Sequence, residues 1–446
     1  MVRFGMAAAV LALMAAPLFA QESTEELKKE LQQLRAEVDG LKAVNQSKEI
    51  PASGRIDKDA MAADDNPVMT MFKGTKLSGF VDAGYQFSFN TLNTSRVIAP
   101  PALDNVHNPV RIFDNRDNSF YLHEAHIQLE RLASKDMIVG YHIELAAGHD
   151  PSVYDGAAFD LQEGWLQIMA PLGDGLDIRV GKMATLCGYE VLENMNNMNY
   201  SRGMLFGLLQ PFTHTGIRAS YGMGGANHDM VSFTLGFNNG LNAGDRFADD
   251  NHGKAVEFQL AVKPIKDLYT AINIHFGNDT KAPATLSGRT DQKFYVFDIV
   301  ASYTMDKLTF GLNIDWASIQ GVGDLIGNGT FPSGRGALSG LALYTKYQFS
   351  DAVAEAIRIE YFSDAHGLIG FTGAAGSGSL TPNTANDSGD GARIFEFTLT
   401  TEVKVASNLI LRFEIRHDDS NQHTFRRDTK AARGDNTLGF EAIMPF

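Results

Sequence analysis

The sequence predicts an all-β fold: a transmembrane antiparallel β-barrel of about 16 strands, preceded by a short N-terminal coiled-coil helix. Three observations predict it. From residue 77 onward, apolar and polar residues alternate with a period of two, most alternating segments have the length of a tilted membrane-spanning strand, and short connections alternate with long ones. Bacterial outer-membrane barrels have this combination of features.

The composition excludes several other classes of protein. A single cysteine among 446 residues rules out an intrachain disulfide, a cysteine-rich zinc site and an iron–sulfur cluster. The formal net charge of −15 argues against a nucleic-acid partner, because binding phosphates requires a basic face.

Residues 1–20 have the features of a secretory signal peptide. Arg3 supplies the positive charge, residues 7–16 are an unbroken apolar stretch, and Ala20 is a small residue at a plausible cleavage point. The alternative is a membrane anchor, but the apolar run is shorter than the ~20 residues of a spanning helix. We therefore expect the chain to be exported.

Residues 22–49 are polar, favour helix and carry heptad-spaced apolar residues. Such a seam predicts a coiled coil that self-associates, because three heptads are not stable alone. The alternative is one amphipathic helix lying on its own protein. Residues 50–74 lack periodicity and are interpreted as a linker. The seam residues predicted to mediate oligomerisation are Leu27, Leu31, Leu34, Val38 and Leu41.

Each alternating segment between residues 75 and 446 has an apolar, aromatic-rich face and a polar, often charged face. In the first, Val81 and Tyr85 lie on one face while Asp82 and Gln86 lie on the other. The sixteen predicted strands lie near 77–89, 119–130, 137–147, 160–170, 175–183, 213–221, 229–238, 254–263, 267–277, 292–304, 306–316, 338–349, 352–362, 392–404, 407–417 and 436–446.

The connections separate a membrane barrel from a soluble β-sandwich. Even-numbered segments are followed by tight turns and odd-numbered ones by long polar loops, an asymmetry that a sandwich has no reason to show. Aromatic residues such as Tyr221 and Phe349 lie beside the turns, where an interfacial girdle belongs. An even number of strands places both termini in the periplasm. The apolar faces would contact lipid, and the charged faces would line a wet lumen.

The loop 184–212 is unusually apolar for an exposed loop, which predicts that it folds into the barrel and narrows the pore. Glu190 and Glu193 would then face basic residues of the wall, and the separated charges would orient polar solutes. Alternatively, the loop covers the outer mouth or touches a neighbouring subunit. The basic residues predicted to line the constriction are Arg179, Arg218, Arg358, Arg412 and Arg416.

Other chemical motifs do not support an enzyme, a metal site or a cofactor. His123 and His126 would point to opposite faces of a strand and could not chelate together. The glycine-rich segment 373–379 lacks the residues of a phosphate-binding loop. The acidic cluster at 245–250 is interpreted as a solvated surface, and Cys187 as a small packing residue.

Several stretches resemble the OmpL-like outer-membrane β-barrel porin family. They are DNRDNSFYLHEAHIQLER at 114–131, GYEVLENMNNMNYSRGMLFGLLQPFTHTGIRASY at 188–221 and FNNG at 237–240, of which PFTHTG is the most specific piece. The closing TLGFEAIMPF, with Phe440 and Phe446, resembles the terminal signature read by the barrel-assembly machinery. Members often carry Trp-Asp after FNNG, where this chain has Leu241 and Asn242, so substrate detail does not carry over.

The resemblance implies a trimeric porin in the outer membrane of a Gram-negative-type cell, with passive diffusion of small hydrophilic solutes or ions. The excess of inward acids over arginines favours cations. Alternatives are a channel specific for an oligosaccharide or a phosphate-type solute, and an envelope tether in which a periplasmic coiled coil uses the barrel as an anchor. The expected partners are outer-membrane lipid, further copies of the chain, the assembly machinery and small solutes.

Overall fold

The computed structural model describes residues 74–90, 108, 110–114, 116–134, 137–154, 157–224, 230–240, 253–278, 293–320, 335–364, 391–427 and 430–446. The predicted signal peptide, coiled coil and nearly all of the linker lie outside these residues. The glycine-rich segment 373–379 and the acidic cluster at 245–250 lie outside them too.

Sixteen antiparallel strands form a closed barrel, which confirms the predicted fold class. Each strand pairs with its neighbour in the chain, and β1 closes the barrel against β18 with Tyr85 opposite Phe440. The barrel strands are β1 Lys76–Ser88, β2 Ser119–Arg131, β3 Val139–Ala147, β4 Phe159–Ala170, β5 Leu176–Ala184, β6 Thr213–Met223, β7 Val231–Asn238, β8 Ala255–Val262, β9 Leu268–Asn278, β10 Lys293–Met305, β11 Leu308–Gln320, β12 Arg335–Gln348, β13 Val353–Asp364, β14 Ala392–Ala406, β15 Leu409–Ser420 and β18 Gly434–Pro445.

Short turns and long loops alternate around the barrel as predicted. The turns after β10 and β14 are two residues long, whereas the loop after β5 runs from 185 to 212. Asp306, in the turn after β10, has a φ of 54°, a left-handed conformation that Asp tolerates. The loops also carry a short helix, α1 His149–Tyr154, and a hairpin of β16 Phe425–Arg427 with β17 Lys430–Ala432. Among the described residues, no helix is both long and apolar enough to cross a membrane.

The two faces of the barrel wall have opposite character. On β14, the Phe395 and Phe397 side chains are 46% and 37% exposed, while the intervening Glu396 and the following Thr398 are fully buried. Large apolar side chains are exposed in this way on strand after strand. Apolar residues therefore face outward and charged residues face inward, the reverse of a soluble protein.

Two β-bulges change which residues face inward. The pairing of β1 with β2 shifts between Asp82 and Ala83, which leaves His123 as an extra residue on β2. His123 and His126 consequently both point into the barrel and both are buried, so the prediction that they face opposite ways is wrong. A second bulge, at Gln162 on β4, turns Gln162 and Glu163 inward together.

The interior also contains an apolar cluster that the alternation did not predict. Phe294, Phe362 and Ile394 lie on the inner wall and are almost fully buried. Met204 and Leu205 from the loop 185–212 pack against them. Half of the apolar residues that made this loop unusual are thus buried inside the barrel, whereas Val191 is 39% exposed.

Candidate functional site: a loop anchored inside the barrel

The loop 185–212, here called the inner loop, crosses the barrel interior. Its two ends stay together, because the Thr185 amide donates to the Phe212 carbonyl at 2.9 Å. Its middle reaches strands distant in sequence: the Tyr189 amide donates to Asn313 Oδ1 on β11 at 3.1 Å. The Asn199 side chain donates to Thr400 Oγ1 on β14 at 2.7 Å. These partners face inward, so the inner loop lies within the barrel.

Arg358 on β13 joins the inner loop to the wall. Its guanidinium lies 2.6 Å from the Glu190 carboxylate of the loop and donates to the Ser201 carbonyl at 2.5 Å. On the wall side it contacts Glu396 of β14 at 3.1 Å. The Arg358 side chain is fully buried, so both carboxylates are needed to compensate the loss of its hydration.

Two further arginines of β15 satisfy backbone carbonyls of the inner loop. Arg412 donates to the carbonyls of Asn194 at 3.1 Å and Asn197 at 2.8 Å. Arg416 donates to the Arg202 carbonyl at 2.8 Å. The carbonyls of a loop inside a barrel have no hydrogen-bond donor on a neighbouring strand. A guanidinium can supply the missing donor, because it carries five N–H groups.

Inward glutamates satisfy backbone amides of the same loop. Glu360 on β13 accepts from the amides of Met204 and Leu205, both at 2.6 Å, where a short π-helix, Leu205–Leu209, begins. Glu414 on β15 accepts from the Tyr200 amide at 2.8 Å. These amides would otherwise be unpaired, and a carboxylate at the start of a helical turn is also electrostatically favourable.

Glycines of the wall make room for large side chains of the inner loop. A Cβ atom at Gly439 of β18 would overlap the Tyr200 ring. One at Gly340 of β12 would overlap the Leu205 side chain. The wall is therefore shaped to the loop as well as hydrogen-bonded to it.

The predicted constriction residues fall into two groups. Glu190 faces Arg358, as expected, and Arg358, Arg412 and Arg416 are buried in contacts with the inner loop. Arg218 on β6 is paired with Glu257 at 2.8 Å. Arg179 on β5 is 35% exposed, pairs with Asp177 at 3.0 Å, and lies 4.4 Å from the Trp165 ring. A role of these residues in lining a pore stays a prediction.

Glu193 does not face basic residues of the wall as predicted, but lies beside β2, β3 and β4, which present mostly acids and are separated from β15 by β18 and β1. Its carboxylate accepts a hydrogen bond from Gln162 of β4. Burial, followed by repulsion from Glu144, Glu163 and Glu124, raises the pKa of Glu193 to about 8. The inner loop therefore contacts both the wall that carries the three arginines and the acidic wall, and the raised pKa favours the protonated form of Glu193 at neutral pH.

A cavity of about 310 Å³ lies between the inner loop and the wall of β9, β10 and β12. Tyr189, Asn196 and Asn197 line it from the loop, and Tyr269 and Tyr344 line it from the wall. The Tyr189 and Tyr344 rings stack with centroids 4.5 Å apart. This space combines aromatic faces with amide groups.

Arg202 is an anchoring residue that the sequence did not reveal. It lies 2.8 Å from Asp150 of α1, in the loop after β3, and 4.5 Å from the Phe113 ring. Burial raises the pKa of Asp150, but the Arg202 charge together with the charge and hydrogen bond of His123 and the charge of His149 outweighs it, and the net shift is downward. No spacing in the sequence connects residues 150 and 202, because their contact exists only after the barrel has closed.

Cys187 is buried, as expected of a packing residue, and the two terminal phenylalanines lie in or directly after the closing strand of the barrel. Cys187 is buried beside Met204 in the apolar cluster, and burial raises the pKa of its thiol well above the usual range, as for a packing residue. Phe446 pairs with Gly79 through its backbone at 2.9 Å, and the Phe440 ring contacts Phe413. Recognition of Phe440 and Phe446 by the assembly machinery stays a prediction.

Solved structures similar to this chain are outer-membrane proteins. The anion-selective porin from Comamonas acidovorans has a TM-score of 0.53 at 9% identity, covering 83% of this chain and 99% of the porin. The trimer form of OmpT from Vibrio cholerae has a TM-score of 0.51 at 11% identity, covering 83% and 99%. Salmonella typhi OmpF, solved with daunomycin, has a TM-score of 0.51 at 12% identity, covering 83% and 97%. At these identities the likeness shows the fold alone.

No curated protein matches the sequence. A family model does match, and it covers residues 74–446, the whole of the barrel and most of the chain. Its match agrees with the resemblance found in the segments 114–131, 188–221 and 237–240. The chain belongs to the family described as "Putative beta-barrel porin-2, OmpL-like".

Proposed function

We propose that this protein is an outer-membrane porin through which small hydrophilic solutes or ions diffuse passively. The observation that carries the proposal is the inverted wall, in which apolar side chains such as Phe397 face outward and charged ones such as Glu396 face inward. The family membership supports it. Such a wall suits a cylinder with lipid outside and polar contents inside.

The inner loop would act as the constriction. It is held across the interior by ion pairs such as that of Glu190 with Arg358 and by backbone contacts to Arg412 and Glu414. A loop held by so many buried contacts would keep its position inside the barrel while solutes pass. The passage would therefore be narrower than the barrel and fixed in width.

Single-channel recording in planar bilayers tests this proposal. Purified protein should produce stable, stepwise conductances that rise with salt concentration. A chain lacking residues 190–203, the middle of the inner loop, serves as the matched variant and should conduct more in each step. A well-folded protein that inserts into bilayers without conducting would contradict the proposal.

The charges of the described interior favour cations. The arginines of β13 and β15 are neutralised in buried ion pairs, whereas Glu124, Glu144 and Glu163 on β2 to β4 have no arginine or lysine partner among the contacts of the described residues. A reversal-potential measurement across a KCl gradient should therefore show preference for K⁺. Clear preference for Cl⁻ would overturn this assignment while leaving the porin proposal intact.

The cavity beside the inner loop favours a second candidate, a channel specific for an oligosaccharide. Tyr189, Tyr269 and Tyr344 offer ring faces, and Asn196 offers a side-chain amide, while that of Asn197 is bonded to the Val191 backbone. None of the described residues lining it is Arg or Lys, which disfavours a phosphate-type solute. Maltohexaose can serve as the probe: block of conductance at micromolar concentration, lost in Tyr269→Ala, would support this candidate, and absence of block would reject it.

The oligomer and the envelope tether remain proposals that depend on residues 22–49. The coiled-coil seam, the barrel fold and the trimer form of a similar structure support a homotrimer. Deleting 22–49 and measuring mass in detergent tests it. Smaller particles would support self-association through the seam, while unchanged trimers with a detached outer membrane would favour the tether.

A further inference from the structure

The inner wall of β3 and β4 carries a compact group of potential metal ligands, His142, Glu144 and Glu163. Each offers one atom, an imidazole nitrogen or a carboxylate oxygen, and these three atoms lie within 4.8 Å of one another. His142 and Glu144 occupy alternate positions of β3, and Glu163 on β4 is the register partner of Glu144. The sheet therefore brings the three side chains to one place on the inner wall.

The His142 ring is held in one orientation. Its Nδ1 lies 3.2 Å from the Glu130 carboxylate, and its plane stacks on the Trp165 indole with centroids 4.7 Å apart and an angle of 5°. A neutral imidazole that donates from Nδ1 to a carboxylate presents the lone pair of Nε2 to the other side. A carboxylate behind the ring orients histidine ligands in metal sites in the same way.

The Nε2 atom has no hydrogen-bond partner, although the His142 side chain is only 5% exposed. Its close neighbour is the Glu144 carboxylate, 2.9 Å away, in a direction that does not satisfy a hydrogen bond. At this distance the two groups form an ion pair when the ring carries its second proton. A metal ion held by Nε2 and the carboxylate would take the place of that proton, so binding should weaken as pH falls.

The two carboxylates are oriented as well. One Glu144 oxygen accepts from Gln162 at 3.3 Å. One Glu163 oxygen accepts from the Trp165 indole N–H at 3.0 Å and from the Ala184 amide at 2.9 Å. The other Glu144 oxygen lies 2.9 Å from His142 Nε2, and Glu163 offers an oxygen within 4.8 Å of both other donors. Ligands fixed by such outer contacts lose little freedom on binding an ion.

We propose that His142, Glu144 and Glu163 bind a divalent cation of the Zn²⁺ type on the inner wall of the barrel. One nitrogen and two oxygen donors suit Zn²⁺, whereas Mg²⁺ and Ca²⁺ favour oxygen ligands alone. Around a tetrahedral ion with bonds of about 2.0–2.2 Å, donors lie about 3.3–3.6 Å apart. The three donors here lie within 4.8 Å of one another, with Nε2 and the Glu144 oxygen at 2.9 Å, so binding requires side-chain rotations that move donor atoms by up to about 1 Å or more. This proposal differs from the expectation, drawn from the sequence, that the chain binds no metal. It does not depend on whether the barrel conducts.

Isothermal titration of tag-free protein in detergent with ZnCl₂, after removal of metal with a chelator, tests the site. The wild type should bind one ion per chain. His142→Ala and Glu163→Gln should each weaken binding by about 100-fold or more, and Glu130→Gln, which keeps all three ligands, by about 10–100-fold. His417→Ala is the matched control, because His417 is exposed and bonded to Asn436. It should bind as the wild type does.

Folding of each variant is checked by heat-modifiable electrophoretic mobility. X-ray absorption of the Zn²⁺-loaded wild type should show a first shell of nitrogen and oxygen with one histidine. Absence of stoichiometric Zn²⁺ binding, unchanged binding in folded His142→Ala, or equal displacement by Mg²⁺ would each overturn the proposal. The titration needs no membrane, so its failure and a failure of conduction are separate results.

Discussion

Two walls of the same barrel interior carry charged residues and use them differently. On β13 to β15, Arg358, Arg412 and Arg416 are buried, and each has a carboxylate within 3.0 Å or less. On β2 to β4, the corresponding positions hold Glu124, Glu144 and Glu163, which meet histidine, amide and indole groups instead. Each arginine of the first wall is paired with a carboxylate, whereas Glu124, Glu144 and Glu163 of the second wall have no arginine or lysine partner among the contacts of the described residues.

The difference shows that inward charges in a barrel do not all face water. On the arginine wall, the charges replace the missing strand partners of the inner loop and hold it in place. On the acidic wall, carboxylates that pair with histidine and have no arginine or lysine partner among the described contacts would favour cations in the metal-free protein. Substitutions on the arginine wall should therefore change the width of the passage. Substitutions on the acidic wall should change its ion selectivity.

The largest effect is expected for Arg358→Ala. Removing this guanidinium leaves Glu190 and Glu396 buried without their partner, at a cost of about 3–5 kcal/mol in the free energy of unfolding. The inner loop should loosen and single-channel conductance should rise. Urea unfolding and bilayer recording measure the two effects. Arg393→Ala is the control, because Arg393 is exposed on the adjacent strand; equal behaviour of the two variants would contradict the anchoring role.

Gly439→Val should have the next largest effect. The added side chain overlaps the Tyr200 ring, and overpacking of this kind costs about 1–3 kcal/mol. The double variant with Tyr200→Ala should recover part of the lost stability, because the ring that the valine meets is gone. A double-mutant cycle in urea measures this coupling. Strictly additive effects would show that the loop does not pack against β18.

Glu193 should make the channel sensitive to pH. Its pKa is raised to about 8, so it loses its proton between about pH 7 and about pH 9 and adds a negative charge. Preference for K⁺ over Cl⁻ should rise over that range in the wild type and stay level in Glu193→Gln. A carboxyl whose folded pKa is raised lowers stability as pH increases from its ordinary pKa up to about 8, and Glu193→Gln should flatten that slope as well. Equal pH profiles of the two proteins would contradict the assignment.

The smallest effect is expected for Glu124→Gln on the acidic wall. The Glu124 carboxylate pairs with His126 at 2.7 Å and has no hydrogen bond to the inner loop among the contacts described. Conductance should therefore stay at the wild-type value while preference for K⁺ falls slightly. The reversal potential in a KCl gradient measures the change. A large rise in conductance would mean that this wall, too, holds the loop.

The strands could be predicted because a membrane barrel repeats one rule. Every crossing segment must alternate, as in Phe395, Glu396 and Phe397, and every hairpin must close, so sixteen weak signals support one another. The inner loop was predictable on similar grounds, since Met204, Leu205 and Leu209 required burial and now pack on the wall.

Which side chains point into the barrel and which point outward was less predictable from the sequence than the strands themselves. A bulge adds one residue and reverses the alternation that follows, and nothing in the sequence around His123 or Gln162 marks one. The direction of Glu193 depends on where the inner loop crosses the interior, and the contact of Arg202 with Asp150 depends on barrel closure. The ligand group on β3 and β4 did have a signal, because His142 and Glu144 share a face at alternate positions, but Glu163 joins them only through strand register.

The most direct test of the account is the environment of spin labels in liposomes. In a Cys187→Ala background, labels at Leu343 and Phe397, which point outward, should collide with oxygen dissolved in lipid and be shielded from a water-soluble nickel complex. A label at Asn196, on the inner loop beside the cavity, should collide with the nickel complex. Nickel access at Leu343 or Phe397 equal to that at Asn196 would contradict a barrel with lipid outside and solvent within.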